Sequence, residues 1–467
     1  MVYNLAVILR VSMAAVCAAI VLVPPAYTQV TPSRPSWVEP YRDTAARLIQ
    51  AATRDSFTWN RLAELTDTFG ARLSGSPNLD RAIAWAAEAM RRDGLEGVHT
   101  EPVMVPRWVR GQESAEIITP AKHPVTMLGL GGSVATPSDG IEAEVAVVAS
   151  FDELRSRAAE MKGRVVLFNA PFAVYGDTVL YRTNGARAAS QVGAVASLVR
   201  AIGPTGLRTP HTGSVQYGQG IPAIPAASIA GEDADRIARL VARGIRVRLR
   251  LTMEAGNGPD VESANVVGEI RGRERPDEIV LLGGHLDSWD VGTGASDDGV
   301  GCIVTWEAVR LMAHLGIRPR RTVRIVLWTN EENGLRGASA YAAKHAAHAG
   351  DYVFALESDS GVFEPASLGF SGSSAARALM RDIASLLGPL GLGEIVAGGG
   401  GADIGPIAQA GNAPMMAYLG NPAKYFTIHH TPADTVERIA PEEVSKAAAA
   451  ISVLAYVVAE MPERLPR

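Results

Sequence analysis

The feature that most constrains this chain is a repeated strand–helix–strand pattern that begins near Ser263. Hydrophobic runs such as EIVLLGGHLDS, TVRIVLWTNEE and DYVFALESDSG each end in polar residues and alternate with helical stretches such as DDGVGCIVTWEAVRLMAHLG. Strands that alternate with helices predict an α/β domain whose central sheet is largely parallel. Ligands of such sheets bind at the carboxyl ends of the strands, which is where the polar clusters of this chain fall.

Changes in residue pattern predict how the rest of the chain is divided. Residues 36–109 are mainly amphipathic helices, whereas residues 110–253 hold short β-rich runs separated by glycine and proline. We therefore predict a discontinuous catalytic domain made of residues 36–109 and 254–467. A smaller domain at 110–253 is inserted into it, and few residues of this insert are suited to chemistry.

Residues 1–28 have the layout of a secretory signal peptide. Arg10 precedes an apolar stretch over residues 11–23, two prolines end that stretch, and small residues near Thr28 suit cleavage. The stretch is shorter than the roughly 20 residues that span a bilayer. An uncleaved membrane anchor and a lipoprotein modified at Cys17 are the weaker alternatives. The chain is therefore predicted to be secreted or periplasmic, with no stable membrane insertion after cleavage.

The composition excludes several classes of function. The formal net charge is -5, so the chain has no excess of basic residues with which to bind nucleic acid or an anionic membrane. With 467 residues, of which 47% are hydrophobic, it is long and apolar enough to bury a large core without disulfides. Nucleic acid is therefore excluded as a partner, and a homodimer is one assembly that the sequence allows.

Five potential metal ligands follow the predicted strands or lie in the adjoining loops. Nitrogen and oxygen donors from separate segments can converge on a divalent metal, and zinc accepts both imidazole and carboxylate. Two imidazoles and three carboxylates exceed the needs of one tetrahedral zinc, and they suit two ions that share a bridging carboxylate. The sequence therefore predicts two zinc ions per chain. The five ligands are His285, Asp297, Glu332, Asp359 and His430.

Two further carboxylates lie next to these ligands in the sequence. Neighbouring side chains of an extended chain point to opposite sides, so Glu331 can reach over the cleft while Glu332 binds metal. An unligated carboxylate in that position is suited to act as general base toward water and then to protonate the leaving amine. Asp287, two residues after His285, is predicted to orient that histidine.

Several stretches of the chain resemble a known family. GGHLDSWDVGTGASDDGVG, WTNEENGLRGASAY, ESDSG and HHTPADT are similar to the motifs of the co-catalytic zinc exopeptidases, which include secreted bacterial aminopeptidases. The resemblance extends over most of the chain after about residue 40. It implies a three-layer α/β/α sandwich with a mixed, largely parallel central sheet. The insert at 110–253 resembles a protease-associated domain.

The resemblance also implies a role for each potential ligand. Asp297 would bridge the two metal ions. His285 and Asp359 would complete one site. Glu332 and His430 would complete the other. Glu331 would be the general base, and Asp287 would match the carboxylate that follows the family's first histidine.

Substrate contacts are implied less directly. The stretch GGGGADIG resembles the family's substrate-side loop, so Asp403 is expected to help recognise a substrate terminus. Secreted aminopeptidases of this family tend to have Tyr immediately before the last histidine, and this chain has His429 there. If that Tyr stabilises the oxyanion, then His429, Tyr418 or Tyr425 must do so here, or the metals act alone.

The predicted function is hydrolysis of a peptide bond near a free terminus of a dipeptide or short peptide. The spacing of the ligands does not separate aminopeptidase, dipeptidase and carboxypeptidase preference. A single-zinc acyltransferase of the same fold is the first alternative, and about one zinc per chain would favour it. A non-enzymatic receptor-like protein is the second, although related receptor-like proteins lack metal ligands and every ligand position is kept here.

Overall fold

Amphipathic helices begin the part of the chain that the computed structural model describes, which is residues 36–54 and 56–467. Helix α3 starts at Pro77, and the Ser76 side chain accepts the N–H of Leu79 at 3.3 Å, which is a common start for a helix. The predicted signal peptide lies outside the described residues. The elements of this first part are α1 (Arg42–Thr53), α2 (Phe57–Phe69), α3 (Pro77–Arg92), β1 (Glu96–Val105) and β2 (Trp108–Val109).

Residues 113–253 form an eight-stranded mixed sheet with the strand order β4-β3-β10-β6-β7-β8-β9-β5. Strands β6 to β9 are parallel neighbours, and the outer pairs are antiparallel. Contacts join Ser36–Arg467 into one compact unit, so the boundaries of the insert at 110 and 253 stay a prediction. The elements are β3 (Glu113–Thr119), β4 (His123–Val125), β5 (Met127–Gly129), β6 (Ile141–Val148), α4 (Phe151–Ser156), α5 (Ala158–Met161), β7 (Val165–Phe168), α6 (Tyr175–Gln191), β8 (Ala196–Arg200), β9 (Ala226–Ile229), α7 (Gly231–Ala242) and β10 (Arg248–Met253).

The remaining strands and helices complete the chain. A two-stranded ribbon pairs β11 with β2, and the other strands join β1 in a second eight-stranded sheet. The elements are β11 (Gly256–Asn257), β12 (Val261–Ile270), β13 (Arg275–His285), α8 (Val300–His314), β14 (Arg321–Trp328), α9 (Arg336–Lys344), β15 (Tyr352–Glu357), β16 (Ser367–Ser371), α10 (Ser374–Ala384), β17 (Ile395–Ala397), α11 (Gly405–Gly411), β18 (Met415–Leu419), α12 (Pro422–Tyr425) and α13 (Pro441–Glu460).

This second sheet, which we call the catalytic sheet, has helices on both faces. Its order is β1-β12-β14-β13-β15-β18-β16-β17, with parallel pairing at its centre from β14 through β18. Trp306 of α8 and Leu454 of α13 are buried on one face, and Tyr341 of α9 and Ile407 of α11 are buried on the other. The predicted three-layer α/β/α sandwich is therefore confirmed. Within the described residues, no helix combines the length and apolar character needed to cross a membrane.

A buried arginine joins the N-terminal helices to the loop that follows β13. Arg72 lies just after α2 and has no exposed surface. A buried cation is stable only when its donors are satisfied. Its guanidinium donates to four backbone carbonyl oxygens at 2.6–3.0 Å, those of Gly70, Leu286, Thr293 and Gly294. The loop after β13 is thus held to the N-terminal helices by several hydrogen bonds from one guanidinium group, which has more N–H donors than any other side chain.

We expect Arg72→Met to lower the free energy of unfolding by about 3 kcal/mol or more, because four carbonyl oxygens lose a donor inside the protein. Urea denaturation of the metal-free protein measures the change. Arg92→Met is the matched control, since Arg92 is largely exposed and forms an exposed ion pair with Glu88; its effect should stay within about 0.5 kcal/mol. Equal unfolding midpoints for the two variants would contradict this role for Arg72.

A second buried charge joins β1 to α9. Glu101 of β1 is buried and lies 3.0 Å from both Lys344 Nζ and His345 Nε2, with His99 Nε2 at 3.2 Å. Burial raises the pKa of the Glu101 carboxyl, but the hydrogen bonds from His345, Lys344 and His99 outweigh burial and hold the pKa at about 2. Ionised Glu101 therefore stabilises the contact between β1 and α9 at neutral pH.

The lowered pKa predicts how this contribution depends on pH. It is fully present above the ordinary value of 4.5 and is lost as the pH falls toward about 2. We expect Glu101→Gln to be less stable than the wild type at about pH 7, and the difference to shrink at about pH 3.5. Urea unfolding at both values measures it, with the exposed Glu88→Gln as control. A difference that stays constant over this range would contradict the argument.

Candidate metal centre

Three of the predicted ligands come together because parallel strands end at the same edge of the catalytic sheet. His285 is the last residue of β13, and it is paired in register with Trp328, the last residue of β14. On the other side, Gly283 of β13 is paired with Glu357, the last residue of β15. Glu332 and Asp359 follow these strand ends within a few residues and so reach the same place as His285.

Asp297 arrives from the turn ahead of α8. That helix approaches the strand ends so closely that a Cβ on Gly301 would lie 1.7 Å from the carbonyl oxygen of Ser358, and only glycine allows this contact. Asp298 fastens the same turn to β13, since its Oδ2 accepts the N–H of His285 at 3.0 Å. The start of α8 is therefore fixed against the strand end, with Asp297 beside His285.

Asp297 lies between two histidines and turns one oxygen to each. Its Oδ1 is 3.2 Å from His285 Nε2, and its Oδ2 is 3.0 Å from His430 Nε2. His285 Nε2 is also 3.5 Å from Asp359 Oδ1, and His430 Nε2 is 3.1 Å from Glu332 Oε2. One carboxylate thus joins two separate groups of donors.

These donors fit zinc ions. Two donors that are each about 2.0–2.1 Å from a tetrahedral zinc lie roughly 3.3 Å apart, and the nitrogen–oxygen distances here are 3.0–3.5 Å. Buried polar atoms normally have a partner. Four buried atoms of this cluster have no hydrogen-bond partner within the part of the chain that the structure describes, and a cation is the partner that suits them all: His285 Nε2, Asp297 Oδ2, Glu332 Oε1 and Asp359 Oδ1.

Backbone carbonyls decide which ring nitrogen of each histidine faces the carboxylates. His285 Nδ1 is 3.0 Å from the carbonyl oxygen of Asp287, and His430 Nδ1 is 3.2 Å from that of Thr212. A proton on each Nδ1 leaves Nε2 free toward the carboxylates, which is the usual arrangement of metal-binding histidines. Thr212 belongs to the insert, and its N–H also donates to the His430 carbonyl at 2.9 Å.

The carboxylate of Asp287 contacts the backbone of the two glutamates. Oδ1 accepts the N–H of Glu331 at 3.1 Å, and Oδ2 accepts that of Glu332 at 3.3 Å. The same carboxylate is 3.9 Å from His285 Nδ1, so Asp287 hydrogen-bonds that ring through its carbonyl oxygen. Its side chain therefore orients the turn that carries Glu331 and Glu332.

Asp434 does the same for the turn that carries Asp297. Its two carboxylate oxygens accept the N–H groups of Ser296 at 2.7 Å and of Asp297 at 3.1 Å. Burial raises the pKa of the Asp434 carboxyl to about 7, and the two N–H donors oppose that rise. The sequence analysis did not single out Asp434. Its position in the HHTPADT stretch, four residues after the potential ligand His430, was the signal that could have identified it.

A cavity of about 570 Å³ opens onto the cluster. The Glu331 side chain lines it, keeps 21% of its surface exposed, and holds Oε2 4.0 Å from His285 Nε2. Burial raises the pKa of the Glu331 carboxyl well above its usual value, and the charges of Asp359 and Glu332 add to the rise. A larger cavity of about 780 Å³ beside α12 is lined by none of the predicted ligands. The candidate site is therefore identified by its potential metal ligands and not by the volume of its cavity.

The residues predicted to touch substrate lie in different places. His429 lines the cavity, its Nε2 is 3.3 Å from Asp297 Oδ2, and its ring stacks on His430 with centroids 3.7 Å apart. Asp403 and Tyr418 are fully buried and do not line the cavity. The carboxylate oxygens of Asp403 and the hydroxyl of Tyr418 have no hydrogen-bond partner among the described residues.

Residues of the segment 110–253 make contacts near the centre that the sequence did not reveal. Ser214 Oγ donates to the carbonyl oxygen of Glu332 at 2.6 Å. Arg110 forms an ion pair at 2.6 Å with Asp290, which lies in the loop after β13. The polar stretch RTPHTGS, residues 208–214, contains Ser214 and was a local sign of the first contact, whereas nothing local marked the second. They join segments that are far apart in the chain, so no spacing rule predicts them.

Comparisons with known proteins agree with this geometry. The chain matches Peptidase family M28 over residues 265–455. Carboxypeptidase Q of Homo sapiens is 47% identical over 410 residues, which cover 88% of this chain and 87% of the human protein. The chain belongs to peptidase family M28. As an M28 member it is a metallopeptidase, and the resemblance of its sequence to the co-catalytic zinc exopeptidases, and among them to carboxypeptidase Q, is confirmed.

Solved structures of M28 and related proteins share the fold. A Peptidase M28 precursor from Shewanella amazonensis SB2B has a TM-score of 0.87 and 34% identity, and the match covers 92% of this chain and 98% of that one. A zinc aminopeptidase from Bacillus subtilis has a TM-score of 0.66 and 19% identity, over 87% and 96% of the two chains. At that identity the second likeness shows the fold alone.

We expect Asp434→Ala to loosen the turn that carries Asp297, because two buried N–H groups lose their acceptor. The free energy of unfolding should fall by about 2–4 kcal/mol in the metal-free protein, measured by urea denaturation. Asp434→Asn keeps one acceptor oxygen and should lose less. If Asp434→Asn is no more stable than Asp434→Ala, the acceptor oxygen that Asn retains contributes nothing, which would contradict this role for the hydrogen bonds.

Proposed function

We propose that this chain is a secreted, zinc-dependent exopeptidase that hydrolyses dipeptides or short peptides. The single observation that carries the proposal is the position of Asp297, whose two oxygens face two separate histidines at 3.2 and 3.0 Å. A bridging carboxylate of this kind suits two metal ions. His285 and Asp359 would hold one zinc ion with Asp297, and Glu332 and His430 would hold the other.

When bound, two zinc ions supply Lewis acidity toward the peptide carbonyl and a water nucleophile at neutral pH. The chain's own residues supply orientation. Asp287 and Asp434 accept hydrogen bonds from backbone N–H groups of the turns on which the ligands lie, and these bonds fix the turns. Ligands fixed in this way need little rearrangement during the reaction, which is the main requirement of such a site.

Glu331 is the proposed general base. It lines the cavity beside the ligands, and its backbone is fixed through Asp287, so its carboxylate can reach a water next to His285. In the proposed reaction Glu331 takes a proton from the attacking water and passes it to the amine that leaves. His429, which lines the same cavity and has an unpartnered Nδ1, is proposed to donate to the substrate carbonyl oxygen.

The size and walls of the cavity favour short substrates. Small-molecule sites occupy roughly 300–1,000 Å³, and this cavity of about 570 Å³ lies within that range. Tyr175, Ser214 and Gln216 of the insert form one wall of it. We propose that the insert is a separate protease-associated-like domain that covers the cleft and excludes long peptides.

We expect Glu331→Gln to keep about two zinc ions per chain and to lose hydrolysis of alanyl-alanine by about 10²- to 10⁴-fold in kcat, because the ligands remain and only the proton acceptor is gone. Elemental analysis gives the zinc content, and chromatography of released alanine gives the rate. Glu88→Gln removes an exposed carboxylate and is the matched control.

The same measurements separate the competing functions. Activity of Glu331→Gln close to that of the wild type, at full zinc content, would remove Glu331 from the role of base. About one zinc per wild-type chain, with no hydrolysis of alanyl-alanine or longer free peptides, would favour the single-zinc acyltransferase instead.

A further inference from the structure

Arg182 of α6 is a buried cation that has no carboxylate partner. It is 6% exposed, and among the described residues no ion pair reaches its guanidinium within 4.0 Å. The other buried arginines of the fold are compensated. Arg200 pairs with Asp235, Arg321 pairs with Glu278, and Arg72 donates to four carbonyl oxygens.

The hydrogen bonds of Arg182 are also incomplete. A guanidinium has five N–H donors. Nη1 donates to the carbonyl oxygen of Thr212 and Nη2 to the hydroxyl of Tyr175, each at 3.2 Å, and Nε has no partner. Nη1 is also 3.2 Å from His430 Nδ1, but that nitrogen faces the Thr212 carbonyl as a donor and cannot accept. Two of the five donors are used, which leaves three without an acceptor.

The position of Arg182 suggests what the missing acceptor is. Arg182 lines the cavity that Glu331 and Asp359 also line. Among the described residues that line this cavity, no other is an arginine or a lysine. A buried charge without a partner is costly, whereas a ligand that brings the opposite charge removes the cost. A carboxylate that enters this cavity would meet one fixed cation, on the wall that the insert provides.

Arg182 lies one imidazole ring away from the proposed metal centre, since it contacts His430 at Nδ1 and the carboxylates face Nε2. Arg182 contacts His430, a proposed metal ligand, at 3.2 Å. In a dipeptide the terminal carboxylate lies about one residue, roughly 3.5 Å, beyond the bond that is cleaved. A substrate whose scissile carbonyl is held at the metal centre can therefore bring its C-terminal carboxylate to Arg182 only if a single residue, or very few, follow that bond.

We propose that Arg182 binds the C-terminal carboxylate of the substrate and makes the enzyme selective for short peptides with a free C-terminus. This rests on the proposed peptidase function and names the substrate terminus that the site reads. Arginine suits the task because its planar fork matches the two oxygens of a carboxylate. The insert then determines terminus selectivity, while the catalytic sheet carries the metal ligands.

Kinetics with alanyl-alanine and alanyl-alaninamide test the proposal, since the amide lacks only the charge. The zinc-loaded wild type should favour the free acid in kcat/KM. Arg182→Gln should raise KM for the acid about 10- to 100-fold, with kcat within about threefold, and leave both constants for the amide within about threefold. Arg182→Lys, which keeps a positive charge without the fork, should recover part of the preference.

Arg187→Gln is the matched control, because Arg187 lies on the same helix but is exposed. Zinc content and thermal unfolding of each variant show that the fold and metal are kept. If Arg182→Gln weakens acid and amide by the same factor, Arg182 only positions Thr212 and His430, and the proposal is overturned. A wild type that cleaves both compounds equally well also overturns it while leaving the peptidase function intact.

A measurement on the wild type alone covers the case in which Arg182→Gln does not fold. Alanine should inhibit hydrolysis competitively, and alaninamide should do so at least about tenfold more weakly, because only the first carries the charge that Arg182 pairs with. Equal inhibition would count against Arg182. A zinc-loaded wild type that hydrolyses neither dipeptide nor longer peptide would overturn the proposed function, and this inference with it.

Discussion

The constraint on which the rest of the structure depends is the burial of four carboxylates beside three imidazoles at one edge of the catalytic sheet. Burial, with the charge of Asp297 beside it, raises the pKa of Asp359 and brings that of Glu332 to about 7, because a desolvated carboxylate resists ionisation. Such a cluster is stable in its ionised form only when cations compensate it. The ionised cluster therefore calls for the same cations as the proposed chemistry, and His285, Asp297 and His430 have the spacing to hold them.

A second set of carboxylates keeps the first in place. Asp287, Asp298 and Asp434 are fully or almost fully buried, and each accepts backbone N–H groups of the loops that carry ligands. A backbone N–H contact fixes the course of the chain and leaves the ligand side chain free to turn toward the metal. Arg72, which has the opposite charge, supports the loop after β13 by donating to its backbone carbonyl oxygens. The ligands are thus rigid because their backbones are held.

The residue pattern predicted the largely parallel sheet, and with it the edge at which the ligands meet, because that much depends on local pattern, whereas the three-layer sandwich was implied by the family resemblance. His285, Glu332 and Asp359 each follow a hydrophobic run, and parallel strands bring such positions together whatever the loops do. The contacts of the insert depend on no local pattern. Arg182 and Arg187 lie on one helix and look alike in the sequence, and only the packing of α6 against a loop 248 residues away distinguishes them.

Two residues of the segment 110–253 contact His430 in chemically different ways. Thr212 contacts His430 through its backbone oxygen and N–H, so most side chains at that position would preserve both contacts. Arg182 acts through its side chain, and no other residue offers the same planar fork. Substitutions in the wall of the cleft can therefore change which substrates are bound while the support of His430 persists. Because the proposed metal ligands and Arg182 lie on separate stretches of chain, the proposed selectivity and metal binding can vary independently in this fold.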